Sequence, residues 1–163
     1  MQTRIIAAFP GTGKSYYHKE NPETTLDSDS SRFSWVKDSE GNNTKERNPD
    51  FPENYISHIK ENIGKYEFIF VSSHKEVREA LLENCIFFYL IYPARDRKVE
   101  FIQRYKDRGS PEGFINLISN NWDAWIRECE FTEVGCKQVS MVLENLSNEI
   151  SHIKASEYGD VLI

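Results

Sequence analysis

The sequence predicts an α/β fold in which a parallel sheet is covered by helices on both faces. Three observations predict it. Apolar runs of strand length at 4–9, 67–71 and 86–92 read as strands buried on both sides. Amphipathic helical patterns alternate with these runs, as in successive strand–helix–strand units. The first run also leads directly into Gly11-Thr12-Gly13-Lys14-Ser15, a turn that opens a helix. With 163 residues, the chain is expected to form a single domain with a sizeable core.

In chain order, the first strand at 4–9 is followed by a short helix from Lys14. Residues 24–26 read as a short second strand ending at Asp27. A polar stretch rich in Asn, Asp, Glu and Lys reads as a mobile loop over about 37–51. Asp50-Phe51-Pro52-Glu53 has the form of a capping box with proline at the first helical position. Ile56, Ile59 and Ile63 then share one helical face, and Gly64 ends that helix. After the strand at 67–71, Ser73-His74-Lys75-Glu76 repeats the capping-box pattern and turns Val77, Ala80 and Leu81 inward. The strand at 86–92 is the most apolar, and Pro93 terminates it. A helix over 94–108 stops at Gly109, and another begins near Ser110-Pro111. In that helix Phe114, Leu117, Ile118, Trp122, Trp125 and Ile126 keep helical spacing, so the two tryptophans are expected in the core. The last strand is expected within 134–143, and Leu146, Ile150 and Ile153 suit a closing helix.

Composition narrows the function classes. Apolar residues make up 39% and charged residues 28%, with a net charge of −6. A negative balance argues against stable binding to duplex nucleic acid, which normally leaves a basic footprint. Cys85, Cys129 and Cys136 match no metal or redox spacing, so reduced thiols in the cytoplasm are expected. The four histidines are scattered. No apolar run approaches the roughly 18 residues of a membrane span, and the N-terminus opens a strand rather than a signal peptide. A soluble cytoplasmic protein, monomer or homodimer, with no membrane partner is the expectation.

The chemistry concentrates at the ends of the strands, where open α/β sheets bind their ligands. Residues Ala8-Phe9-Pro10-Gly11-Thr12-Gly13-Lys14-Ser15 follow the phosphate-loop (Walker A) spacing, with Ala8 in place of the first glycine. Gly11 and Gly13 let the backbone curl so that successive N–H groups point at one phosphate. Lys14 reaches the outer phosphates, the Ser15 hydroxyl suits Mg²⁺, and the new helix turns its positive end to the anion. Pro10, Gly11, Thr12, Gly13, Lys14, Ser15 and Tyr16 are therefore the expected ATP-binding set.

The second strand ends in Asp27-Ser28-Asp29-Ser30-Ser31-Arg32. Asp27 and Asp29 suit Mg²⁺ binding, with Asp29 beside Ser15, or proton acceptance from a substrate hydroxyl. Arg32 suits a second phosphate. Asp29 or Ser30 equally suits a helix cap. The third strand ends in Val71-Ser72-Ser73-His74 and lacks the usual acidic residue; Ser73 and His74 are candidates for substrate contact, with Ser73 also a cap. On the helix after the fourth strand, Arg104 and Arg108 are four apart and share a face suited to charge on a transferring phosphoryl group.

These segments resemble the small nucleoside and nucleotide kinases of the P-loop superfamily, the adenylate-kinase and shikimate-kinase group. Residues 9–15 resemble their phosphate loop, Asp29-Ser30-Ser31-Arg32 the segment whose arginine binds a monophosphate acceptor, and residues 101–108 the helix opening the lid. Length and a short helical lid, about 104–122, also resemble compact phage-encoded kinases, including deoxynucleoside monophosphate kinases, which would act in the host cytoplasm. The resemblance implies a three-layer P-loop fold with a five-stranded parallel sheet in the order 2-3-1-4-5. It implies transfer of the ATP γ-phosphoryl group, with Mg²⁺, to a small acceptor, a (deoxy)nucleoside monophosphate first. A hydroxyl acceptor is the alternative, on a nucleoside, a small metabolite, or a base or end of DNA; a non-catalytic nucleotide switch comes third. Lys14, Asp27, Asp29, Arg104 and Arg108 are then the expected catalytic residues. The chain departs from the kinases where Val71-Ser72-Ser73-His74 replaces their usual Asp-Gly-Phe-Pro-Arg run, and where no arginine lies between Arg108 and Arg127.

Overall fold

The computed structural model describes residues 1–132, 136–141 and 146–159. It is an α/β protein built on a parallel sheet. The strands are β1 (Arg4–Ala8), β2 (Thr25–Asp27), β5 (Phe68–Ser72), β6 (Phe88–Pro93) and β7 (Cys136–Met141), with a separate hairpin of β3 (Trp35–Lys37) and β4 (Asn43–Arg47). Strands β2, β5, β1 and β6 lie side by side in that order, all parallel, and the backbone of β7 pairs in parallel with the outer side of β6. The helices are α1 (Lys14–Glu20), α2 (Ser31–Ser34), α3 (Glu53–Asn62), α4 (Lys75–Glu83), α5 (Lys98–Asp107), α6 (Glu112–Glu130) and α7 (Leu146–Gly159). Among the described residues, no helix is long and apolar enough to cross a membrane.

Both faces of the sheet are covered, and the side chains say by what. Successive strand residues point to opposite faces, yet Ile6, Ala7, Ala8 and Phe68 through Val71 are all fully buried. The register sets Ile6 beside Phe70 and Arg4 beside Phe68, so Phe68 and Phe70 share one face. Tyr17 of α1 packs edge-on against both rings, at 6.2 and 5.7 Å, and Lys154 of α7 lies 5.0 Å from the Phe68 ring. Phe9, continuing the alternation onto the other face, meets Trp122 of α6 at 5.7 Å. Trp122 is buried to 1% and its indole N–H donates to the Arg95 carbonyl at 2.9 Å. The apolar periodicity read in the helices reports the core at Ile56, Ile59, Ile118, Trp122, Ile126, Ile150 and Ile153, but Ile63, just past α3, and Leu117 are exposed, and Trp125 is only partly buried.

Three expectations are corrected. The stretch expected as a mobile loop, about 37–51, holds most of an antiparallel hairpin. Its turn follows Asp38-Ser39-Glu40-Gly41: the Asp38 carboxylate accepts the N–H groups of Glu40 and Asn42, both at 2.9 Å, and Gly41 supplies a φ of 83°. These bonds, the Asn42 N–H foremost, hold the Asp38 carboxyl below its usual range.

Neither expected capping box forms. The α3 helix starts behind Pro52, and the Asp50 carbonyl rather than its side chain accepts the Asn54 N–H, at 2.9 Å. Helix α4 starts behind His74, leaving the Ser73 carbonyl to accept from Arg78 Nε at 2.9 Å.

The segment expected as a short helical lid, about 104–122, is helical: it comprises the end of α5 and the first half of α6, with Ile118 and Trp122 in the core. Finally, the helix expected over 94–108 begins as a 3₁₀ turn at Arg95–Arg97, and the α-helix proper is α5. The expected strand at 134–143 is described only within β7. Cys85 is exposed and Cys129 buried, and neither forms a disulfide among the described residues.

Candidate active site

The parallel register brings the ends of β1, β2 and β5 to one edge, with Ala8 beside Ser72 and Asp27 beside Phe70. The loop leaving β1 is fixed on several sides. The Phe9 N–H bonds the Ile91 carbonyl of β6 at 2.9 Å, and the Phe9 carbonyl accepts the Thr12 hydroxyl at 2.8 Å. Gly11 and Gly13 hold φ values of 82° and 106°, a region that excludes most side chains. At Gly11 a Cβ would also lie 2.6 Å from the Tyr105 ring. That ring is held in place because the Tyr105 hydroxyl donates to the Pro10 carbonyl at 2.7 Å. Burial raises the pKa of this phenol, keeping it a donor. From the far end of the chain, the Leu146 N–H bonds the Thr12 carbonyl at 3.0 Å.

Lys14 opens α1 and folds back over the loop, its ammonium donating to the Ala8 carbonyl at 2.6 Å. Loss of solvent around the ammonium lowers its pKa to about 8; Asp27 and Asp29 oppose this shift and Arg108 adds to it. Lys14 thus lies within electrostatic reach of three of the other expected catalytic residues. The Ser15 hydroxyl donates to Asp27 Oδ2 at 2.9 Å. This is a hard-oxygen pair of the kind that holds Mg²⁺ together with waters and phosphate oxygens. Asp29, expected beside Ser15 as a metal ligand, instead accepts the Ser31 N–H at 2.9 Å, so it does cap α2, and its carboxylate borders a cavity. Among the described residues, no group of three or more His, Cys, Asp or Glu side chains gathers for a metal.

Arg104 of α5 and Arg108, which caps the end of α5, both lie against aromatic rings. Arg104 donates to the Gly11 carbonyl at 3.1 Å, pairs with Glu100 at 2.6 Å and lies 4.6 Å over the Phe101 ring. Arg108 lies 4.9 Å over Tyr105 and 5.5 Å over Phe114, and its Nε donates to Ser110 at 2.7 Å. Glu100 is the common counter-ion of Arg97 and Arg104, and Arg97 first, then Arg104, pulls its pKa down to about 2. Ring stacking holds both guanidinium groups, with Glu100 pairing Arg104 and the Ser110 hydroxyl accepting from Arg108. Tyr16, expected at the nucleotide, is 68% exposed on α1.

Beside the loop lie two cavities that share His74. One, of about 290 Å³, is bordered by Phe9, Pro10, Ser73, Arg78 and Trp125. The other, of about 360 Å³, runs from Asp29, Ser30 and Ser72 to Trp35, Arg47, Phe51 and Glu76. Burial, then the charges of Lys14, Arg47 and Arg78, lower the pKa of His74, which stays neutral at pH 7. Arg32, expected to clamp an acceptor phosphate, is not among the residues bordering the second cavity; its charge is felt by His58 of α3. Arg47 borders it instead. The sequence signal for Arg47 was the Asp38-to-Gly41 turn, which makes 35–47 a hairpin and carries Arg47 back beside Trp35. Arg78 is structural: it is buried and holds the Ser73 carbonyl, the Glu128 carbonyl and the Thr132 hydroxyl.

No protein-family model and no curated protein matches the chain in sequence.

Proposed function

We propose that the chain is a phosphotransferase of the P-loop kinase type, moving the γ-phosphoryl group of MgATP to a small nucleoside-type acceptor, phosphorylated or not. The reading rests on one observation above all. Lys14 lies over a loop with two positive-φ glycines, within electrostatic reach of Asp27, Asp29 and Arg108. The pairing of the strands, 2-3-1-4-5 when those of the parallel sheet are counted along the chain, supports the same reading.

The residues divide the work. Lys14 and the N–H groups of the loop and first turn of α1 hold the donor phosphates; those first helical N–H groups have no acceptor inside the helix. Ser15 and Asp27 fit a Mg²⁺ ion, which when bound neutralises charge between the phosphates. Arg104 of α5 and Arg108 at its end set positive charge toward the group in transfer. Asp29 borders the second cavity and its charge reaches Lys14, so it suits a role at the acceptor. Positioning and charge neutralisation carry most of such catalysis.

A coupled ADP-release assay with MgATP and a panel of nucleosides and nucleoside monophosphates tests this. Acceptor-dependent ADP release is expected, and it should fall by at least about 10²-fold in Lys14→Ala. Full turnover in a folded Lys14→Ala variant would remove the assignment.

A further inference from the structure

The cavity at Asp29 has a chemical signature that narrows the acceptor, if the phosphotransferase reading holds. Two of its walls are aromatic. Trp35 faces Arg47 across the hairpin, and the Arg47 guanidinium lies 5.6 Å from the Trp35 ring and 4.7 Å from the Phe51 ring. The same guanidinium donates to the Glu76 carboxylate of α4. Arg47 is the one arginine among the described residues bordering this cavity, and its charge already meets a carboxylate and two ring faces. Against it stand two carboxylates, Asp29 and Glu76, while the neighbouring His74 is held neutral. The hydroxyls of Ser30 and Ser72, 2.6 Å apart, add a polar but uncharged edge.

A phosphate dianion entering this space would meet a lining of net negative charge and would compete with Glu76 for Arg47. Setting an anion against two carboxylates is unfavourable. A flat uncharged ring meets ring faces and hydroxyls instead, and ring stacking gains without any charge to neutralise. Asp29 then has a task that a monophosphate acceptor would not give it, because an ionised phosphate needs no base.

We propose that this cavity takes an uncharged nucleoside rather than its monophosphate. Trp35 and Phe51 hold the base, Asp29 receives the hydroxyl proton, and the Arg47–Glu76 pair turns away phosphorylated acceptors. In the step itself the acceptor O–H bond breaks and its proton passes to the Asp29 carboxylate. The acceptor oxygen forms a new bond to the γ-phosphorus of ATP. The bond from that phosphorus to the β–γ bridging oxygen breaks, and its electron pair leaves with ADP.

The test uses the full chain with MgATP, the common nucleosides and deoxynucleosides, and their 5′-monophosphates. Donor binding is measured separately by calorimetry with a non-hydrolysable ATP analogue. At least one nucleoside should be phosphorylated with a kcat/KM at least about tenfold above that of its monophosphate, the discrimination a mispaired charge provides. Trp35→Ala, with Phe51→Ala as the second variant should the first unfold, should raise the nucleoside KM about tenfold while analogue binding holds. Asp29→Asn should lower kcat about 10²-fold with analogue binding intact. Glu76→Gln should narrow the preference for nucleoside over monophosphate. A faster monophosphate, or a preference untouched by Glu76→Gln, overturns the proposal. Silence with every nucleoside while the analogue binds overturns the acceptor and leaves the donor reading standing. Failure to bind the analogue overturns the donor reading and this proposal with it.

Discussion

A lysine surrounded by protein loses part of its preference for the charged form, and Lys14 is such a lysine. Its pKa of about 8 lies below the 10.5 of a free side chain. Only the ammonium form attracts donor phosphates, so the free protein gives up that attraction as pH rises through about 8. We therefore expect kcat/KM for ATP to fall above pH 8, about tenfold per unit at most. Bound phosphate favours the ammonium, so kcat should turn down at a higher pH than kcat/KM. A pH profile of both parameters checks this; coincident breaks would remove Lys14 as the titrating group. Tyr55 offers a second test on a single atom. Its hydroxyl is buried and donates to the Ser28 carbonyl at 2.6 Å, tying α3 to the segment that carries Asp29. Tyr55→Phe leaves that carbonyl without its donor and should cost about 1 kcal/mol in denaturant unfolding.

Among the elements, the glycine loop and α5 act as one unit. Gly11 combines a φ of 82° with a Cβ position 2.6 Å from a ring that is itself bonded to Pro10. Gly11→Ala should lower stability by about 1–3 kcal/mol and weaken ATP binding together, read from thermal melting and calorimetry. Unchanged melting would show that Tyr105 gives way freely. This loop was legible because its spacing encodes its own geometry: glycines where φ is positive, then lysine and serine at the helix start. The parallel sheet was legible for a similar reason, since strands buried on both faces must be apolar throughout. The hairpin was not. Its strand Asn43–Arg47 is exposed at four of five positions, so it carries no apolar alternation, and the only signal was the short turn at Asp38. With the hairpin hidden, Arg47 was hidden too, and Arg32 was the nearest arginine in sequence to the acceptor side. Whether a charge faces a cavity depends on the path of the chain between elements, which local pattern does not specify.

Across the whole molecule, α6 is the beam that joins the glycine loop to the core. Trp122 contacts Phe9 at the mouth of the loop and Phe101 of α5 at 5.8 Å, and anchors the Arg95 carbonyl. Trp122→Ala should cost about 3–5 kcal/mol, enough to consume a large share of ordinary stability, whereas Trp122→Phe should cost less. Equilibrium unfolding in urea distinguishes the two. A near-neutral Trp122→Ala would mean that α6 packs around the gap.

The bond from Leu146 to Thr12 has a temporal consequence as well as a spatial one. Ribosomes deliver a chain from its first residue to its last. The glycine loop emerges before α7, and one of its carbonyls waits for a partner made more than a hundred residues later. A nascent chain lacking α7 therefore leaves the Thr12 carbonyl without that backbone partner, and the loop receives its last fastening only once α7 has been made.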